Sequence, residues 1–152
     1  MGREAKLAST GKVPAHICWL TQISAMLTIA LVFYYPLSRI PFYNGLFAVL
    51  LSTTTVYFFS LTYSNTSLYD PDWNLMPTAL GIGWVLTTPE EPSLRGLVAL
   101  SLLFFWSARF AFHNVWRGYT EGLETEDWRY IDFQKNCNGN MTLYWIQSFL
   151  FL

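Results

Sequence analysis

Charge is what this sequence has least of. Aspartate, glutamate, lysine and arginine make up 12% of its 152 residues, about half the share of roughly 25% found in ordinary globular domains. Neither sign dominates: nine basic against ten acidic side chains leave a net charge of −1, so no basic field points to nucleic acid or to a polyanionic partner. Cysteine is scarce too. Cys18 sits in an apolar run and Cys137 in a polar one. Neither has a second cysteine or a histidine at ligand spacing, which excludes a disulfide framework and a zinc site. A cleavable leader is not expected, because the first apolar run begins near Val13 and outlasts the core of about 7–15 residues that such leaders carry. Internal repeats and low-complexity segments are absent.

Apolar sequence fills the space that charge leaves. Hydrophobic residues make up 53% of the chain and aromatic residues 18%, and residues 13–38 and 40–69 contain no Asp, Glu, Lys or Arg. A helix crossing a bilayer needs roughly 20 such residues. The reading is therefore an all-α, multi-pass transmembrane bundle forming one integral membrane domain, with about four complete spans and the start of a fifth. A short basic tail occupies 1–12. The spans are expected at about 14–35, 42–63, 71–88 and 94–113. A polar loop follows at 114–143, then an apolar run at 143–152 that is too short to cross. Pro36 ends the first span, since it cannot donate the backbone hydrogen bond of a continuing helix. Asp70 is expected to cap the third span with Pro71 at its first position, and Ser93 to cap the fourth. Pro77, Gly81 and Gly83 give the third span a kink and a close-packing face.

Sidedness follows from the basic residues. The tail holds Arg3, Lys6 and Lys12, and the loop 114–143 holds Arg117, Arg129 and Lys135. The short links at 36–41 and 89–95 hold one each, Arg39 and Arg95. The positive-inside bias puts the N-terminus in the cytosol, and four spans return both 65–74 and 114–143 to that side. The sequons at Asn65 and Asn140 are then out of reach of glycosylation.

The polar residues on that side have competing readings. Trp106, Arg109, Phe110, His113, Trp116 and Arg117 recur at helical steps of three and four, so they share a face. They form either a cationic, aromatic-walled mouth for an anionic group such as a nucleotide phosphate, or the wet end of a span from which Arg109 snorkels. His113 is a proton donor or a packed helix end. Glu126 and Asp127 are adjacent, an arrangement that by spacing alone says little about acid–base work. Tyr69, Tyr119 and Tyr130 are phenol donors or interfacial aromatics. Asp70 and Asp72 are helix-end carboxylates that could also orient an arginine of the other loop.

Three motifs taken together are more specific. Ser-Leu-Tyr-Asp-Pro-Asp-Trp-Asn-(x2)-Pro stands at 67–77, Arg-(x4)-Asn-(x2)-Arg-Gly at 109–118, and Glu-Asp-Trp-Arg-Tyr at 126–130. From about Asn65 onward the chain resembles the steroid 5α-reductase-like membrane family, in its branch with a Tyr-Asp-Pro-x-Trp loop and a Glu-Asp-Trp-Arg-Tyr loop. Asp72 stands where that branch commonly has an aromatic residue, and Asn74 where it commonly has serine. The resemblance implies NADPH-dependent reduction of a carbon–carbon double bond in a sterol or other lipid enone, in the endoplasmic reticulum membrane if the source is eukaryotic. It also implies a cofactor side containing Arg109, Asn114, Arg117, Glu126, Asp127, Arg129 and Tyr130, and a facing pocket wall of Tyr69, Asp70 and Trp73. It assigns no catalytic donor and no metal. Family members continue through further spans after the third motif, so the resemblance implies a shortened member, inactive by itself. Two other classes fit the helical pattern: an S-adenosylmethionine-dependent methyltransferase of the isoprenylcysteine carboxyl type, and a non-catalytic membrane subunit.

Overall fold

A computed structural model describes residues 11–114, 119 and 121–151, leaving aside the side chains of Asn114 and Phe151. Among the described residues the chain forms six helices: α1 (Ala15–Tyr34), α2 (Pro41–Tyr63), α3 (Asp72–Thr87), α4 (Leu94–Asn114), α5 (Trp128–Asn136) and α6 (Met141–Phe151). A 3-10 turn, Thr66–Tyr69, links α2 to α3. The first four helices run alternately up and down. Three of them, α1, α2 and α4, are long and apolar enough to cross a membrane.

These helices bury polar and small side chains and expose large apolar ones. On α1, Thr21, Gln22 and Ala25 are buried while Leu20, Ile23, Leu27 and Leu31 face outward; on α2, Ser52, Thr53 and Ser60 are buried while Leu50 and Phe58 face outward. In water that arrangement would expose the surface a fold must hide. In lipid it is favourable, because large apolar side chains can face the acyl chains while small ones inside the bundle let helices approach closely. The pattern identifies a membrane-embedded protein.

The third helix differs from its expected form. With 16 residues, α3 is about 24 Å long, short of the roughly 30 Å of a hydrocarbon core. It still runs the length of the bundle. Its far end meets the top of α1 and α2, where Trp84 Nε1 donates to the Pro41 carbonyl at 3.2 Å and lies edge-on to Phe33. A Cβ placed on Gly83 would stand 2.4 Å from the Phe33 ring, and one on Gly45 would stand 2.6 Å from the Trp84 ring. Gly83→Ala is therefore expected to push α1 from α3 and to destabilise the bundle by about 1–3 kcal/mol. Thermal unfolding in detergent measures it, and an unchanged midpoint would refute that packing.

The start of α3 corrects the expected cap. Asp70 has helical dihedrals, φ −53° and ψ −40°, and its N–H donates to Ser67 O to close the 3-10 turn. Its carboxylate accepts from Arg129 and Tyr130 and not from a first-turn N–H of α3, so Asp70 does not cap. Pro71 takes the capping position without a side-chain bond, and Asp72 is the first helical residue. Ser93 does cap, its hydroxyl accepting from Gly96 N at 3.2 Å. The expected loop at 114–143 is not all loop, since α5 lies within it, and the last apolar helix starts at Met141.

Candidate functional site

At one end of the bundle the 3-10 turn, the start of α3 and the segment entering α5 are stitched together. Asn65 begins the stitching. Its side chain accepts from Ser67 N at 3.0 Å and donates to Gly11 O at 3.0 Å. Glu126, 4% exposed, crosses between the segments: its Oε1 accepts from Thr66 N at 2.7 Å and from the Tyr144 hydroxyl at 2.9 Å. The Tyr144 hydroxyl in turn lies 2.6 Å from that of Thr66, and Asp127 N donates to the Ser67 hydroxyl at 2.7 Å. A buried carboxylate is tolerable when its lone pairs are met this way. The N-terminal segment closes the rim, where Val13 and Leu123 exchange backbone hydrogen bonds of 2.9 and 2.8 Å. Gly122, at φ +91°, makes that approach possible, because a Cβ there would stand 2.4 Å from the Val13 carbonyl oxygen.

This stitching presents a second, more exposed cluster. Asp127 caps α5, accepting from Arg129 N at 3.0 Å and from Arg129 Nε at 2.7 Å. The same guanidinium reaches across with Nη2 to Asp70 at 3.2 Å, and Tyr130 donates its hydroxyl to the other Asp70 oxygen at 2.9 Å. The two motifs, some 60 residues apart, thus meet through one arginine, as an Asp70–arginine pairing between the loops required. Burial raises the Asp70 carboxyl above its ordinary 3.8, outweighing the lowering by Tyr130 and Arg129. Burial first, and the Asp70 carboxylate second, push the Tyr130 phenol up. The bond to Asp127 leads the upward shift of Arg129.

The cluster lines a cleft of about 1070 Å³, with Trp73, Asn74, Phe110, His113, Tyr119 and Phe133 among its other walls. Trp73 is 55% exposed there. Tyr69 lies behind it, in edge contact at 5.7 Å and with its hydroxyl 3.3 Å from that of Thr53. It therefore supports the wall and does not form its face. Glu126 reaches the wall as a strut. Arg109 stacks on Phe110, its guanidinium carbon 5.1 Å from the ring centroid; Phe110 lines the cleft and Arg109 does not. Arg117 and Trp116 lie outside the described residues, as does the side chain of Asn114.

A second cavity, of about 750 Å³, runs between α1, α3 and α4 and is walled by apolar side chains including Met26, Ile29, Phe33, Leu75 and Phe104. Thr78 and Ser107 also line it. Their hydroxyls are 2.6 Å apart, and that of Ser107 donates to the carbonyl of Asn74, a residue of the polar cleft. Apolar groove and polar cleft therefore share one hydrogen-bonded partition. Sequence reasoning missed Tyr144, Thr66, Thr78 and Ser107. A hydroxyl inside an apolar run was the available signal, but choosing its partner needs the helix pairing.

A family model described as a protein of unknown function (DUF1295) matches residues 56–152. The matched stretch holds the Asp70 turn, the partition and the Glu126–Tyr130 segment. No curated protein and no solved structure matches the chain.

Proposed function

The chain belongs to the DUF1295 family, which comprises steroid 5α-reductase-like proteins, and from that premise we propose that it is the membrane portion of an NADPH-dependent reductase acting on a carbon–carbon double bond of a sterol or other lipid enone. The observation that carries the proposal is the pair of adjoining cavities, one apolar along spanning helices and one polar at their end. A reaction joining a lipid to a water-soluble cofactor needs both. The N-terminus, the polar cleft and the loop around it lie on the cytosolic side in this reading, following the positive-inside bias.

The groups lining the cleft suit a nucleotide. Asp70 and Asp127 are acceptors for ribose hydroxyls, Trp73 and Phe110 are surfaces for ring stacking, and Arg129, whose side chain is 55% exposed, offers its outer edge to a phosphate. Arg109 and Arg117 are the further cations by resemblance. When bound, NADPH supplies the hydride. The protein's share is to hold the two molecules against the partition, to keep Arg129 aimed through Asp70 and Asp127, and to exclude water from the groove.

Binding to the purified chain in nanodiscs tests this reading. NADPH is expected to bind saturably and S-adenosylmethionine not to compete. Saturable S-adenosylmethionine binding alone would favour methyl transfer, and binding of neither would favour a non-catalytic subunit.

A further inference from the structure

The partition hydroxyls carry an inference about the lipid itself. Ser107 has one proton, and it goes to the Asn74 carbonyl, which has none to return. The 2.6 Å contact between Ser107 and Thr78 must then be donated by Thr78, with the Leu103 carbonyl at 3.3 Å its only competing acceptor among the described residues. Both protons of the pair are committed. What remains at the groove, which Thr78 lines, is acceptor capacity: the lone pairs of Thr78 Oγ1, for which the described residues then provide no donor. A hydroxyl oxygen has two acceptor positions and one proton, so the pair can receive a donor without breaking a bond, whereas receiving a carbonyl requires it to give one up.

We propose that the groove between α1, α3 and α4 binds an elongated apolar lipid ending in a hydroxyl, and that this hydroxyl donates to Thr78 at the partition. The walls favour this occupant. They are apolar between this pair and the far end, where Tyr34 and Thr87 stand, the volume of about 750 Å³ falls within the roughly 300–1,000 Å³ of small-molecule pockets, and the polar pair stands in the half nearer the cleft, whose wall residue Asn74 it bonds. A phospholipid acyl chain would fill the apolar part and leave Thr78 unmet. The inference deepens the reductase reading and rests on it for calling the groove the lipid site: the hydroxyl is then a second oxygen function, distinct from the carbonyl conjugated to the reacting double bond.

Matched ligands without a reducible bond separate the two readings. The purified chain, in nanodiscs of dioleoylphosphatidylcholine and without NADPH, is titrated with 5α-cholestan-3β-ol, 5α-cholestan-3-one and 5α-cholestane, and in parallel with 1-hexadecanol and 2-hexadecanone. Each competes against the tritiated alcohol of its series. In at least one series the alcohol is expected to bind about tenfold more tightly than the ketone. Thr78→Ser keeps the preference and Thr78→Val abolishes it. Ser107→Ala leaves the Thr78 proton only the long bond to the Leu103 carbonyl at 3.3 Å, which a ketone oxygen can displace, and so moves the preference toward the ketone, a change that a hydroxyl pair serving only to join α3 to α4 would not produce. Equal binding of alcohol and ketone in both series, no saturable binding in either, or a preference untouched by Thr78→Val would each overturn the proposal. NADPH binding that fails while the alcohol preference holds removes the reductase reading alone.

Discussion

Replacing Glu126 by alanine is expected to cost the structure more than any other single change at the polar end of the bundle. The carboxylate accepts from the Thr66 backbone and from Tyr144, and it is 4% exposed. Removing it leaves the buried Thr66 amide without its acceptor and the Tyr144 phenol with only the Thr66 hydroxyl. Hydrogen bonds to charged groups contribute about 1.5–3 kcal/mol each, and stranded partners add their desolvation cost. A loss of about 3 kcal/mol follows, or roughly 6–12 °C in the unfolding midpoint of a chain this size. Tyr144→Phe removes one donor to the carboxylate, together with the contact to the Thr66 hydroxyl, and keeps the bond from Thr66 N, so about 1.5–2 kcal/mol is expected. Thermal unfolding in detergent decides the matter: a Glu126→Ala variant melting with the parent would show that the strut does not hold the two segments together.

Much of this was legible in the sequence, for a physical reason. Lipid rewards a continuous apolar run regardless of which neighbours it packs against, so α1, α2 and α4 fall within a residue or two of where the uncharged runs place them. Charge asymmetry then brought the Asp70 turn and the Glu126–Tyr130 segment to one end, where the structure joins them. Other features depend on three-dimensional pairing. Asp70 resembles a cap by residue type, yet the 3-10 turn before it fixes its backbone in the helical region and frees its carboxylate for Arg129 and Tyr130. Glu126 and Asp127 are neighbours in sequence and part in function: one is buried beneath the turn, the other caps α5 and faces the cleft. Thr78 and Ser107 are ordinary small residues of apolar helices until α3 and α4 are set side by side. The residues that resemblance assigned to the cofactor divide in the same way, with Asp127, Arg129 and Tyr130 meeting at the cleft and Arg109 on its outer margin.

Arg129 carries the second large expectation. As an ion pair its contribution to stability is small, about 0–1 kcal/mol, because its side chain is 55% exposed and water screens it. Its weight lies in position. Asp127 and Asp70 hold two edges of the guanidinium and leave the third to a phosphate, where a charge-assisted bond amounts to about 1.5–3 kcal/mol. Arg129→Leu is therefore expected to weaken NADPH binding by about 10- to 100-fold with little change in melting. Asp70→Arg should weaken it too, by displacing Arg129, and Asp70→Arg combined with Arg129→Asp should recover part of the loss. No recovery would mean that the pair does not set the geometry. Acid adds an independent check. Since burial raises the Asp70 pKa above 3.8, the folded protein holds that proton more tightly than the unfolded chain does. The resulting stability is full below 3.8 and is lost as pH rises through the raised value. The hold on Arg129 has the opposite dependence: it forms as Asp70 ionises and fails as pH falls back through the same value. Asp70→Asn, which keeps an oxygen for the Tyr130 hydroxyl, should flatten the pH dependence of the melting midpoint across that window. Parent and variant profiles running parallel there would place the titrating group elsewhere.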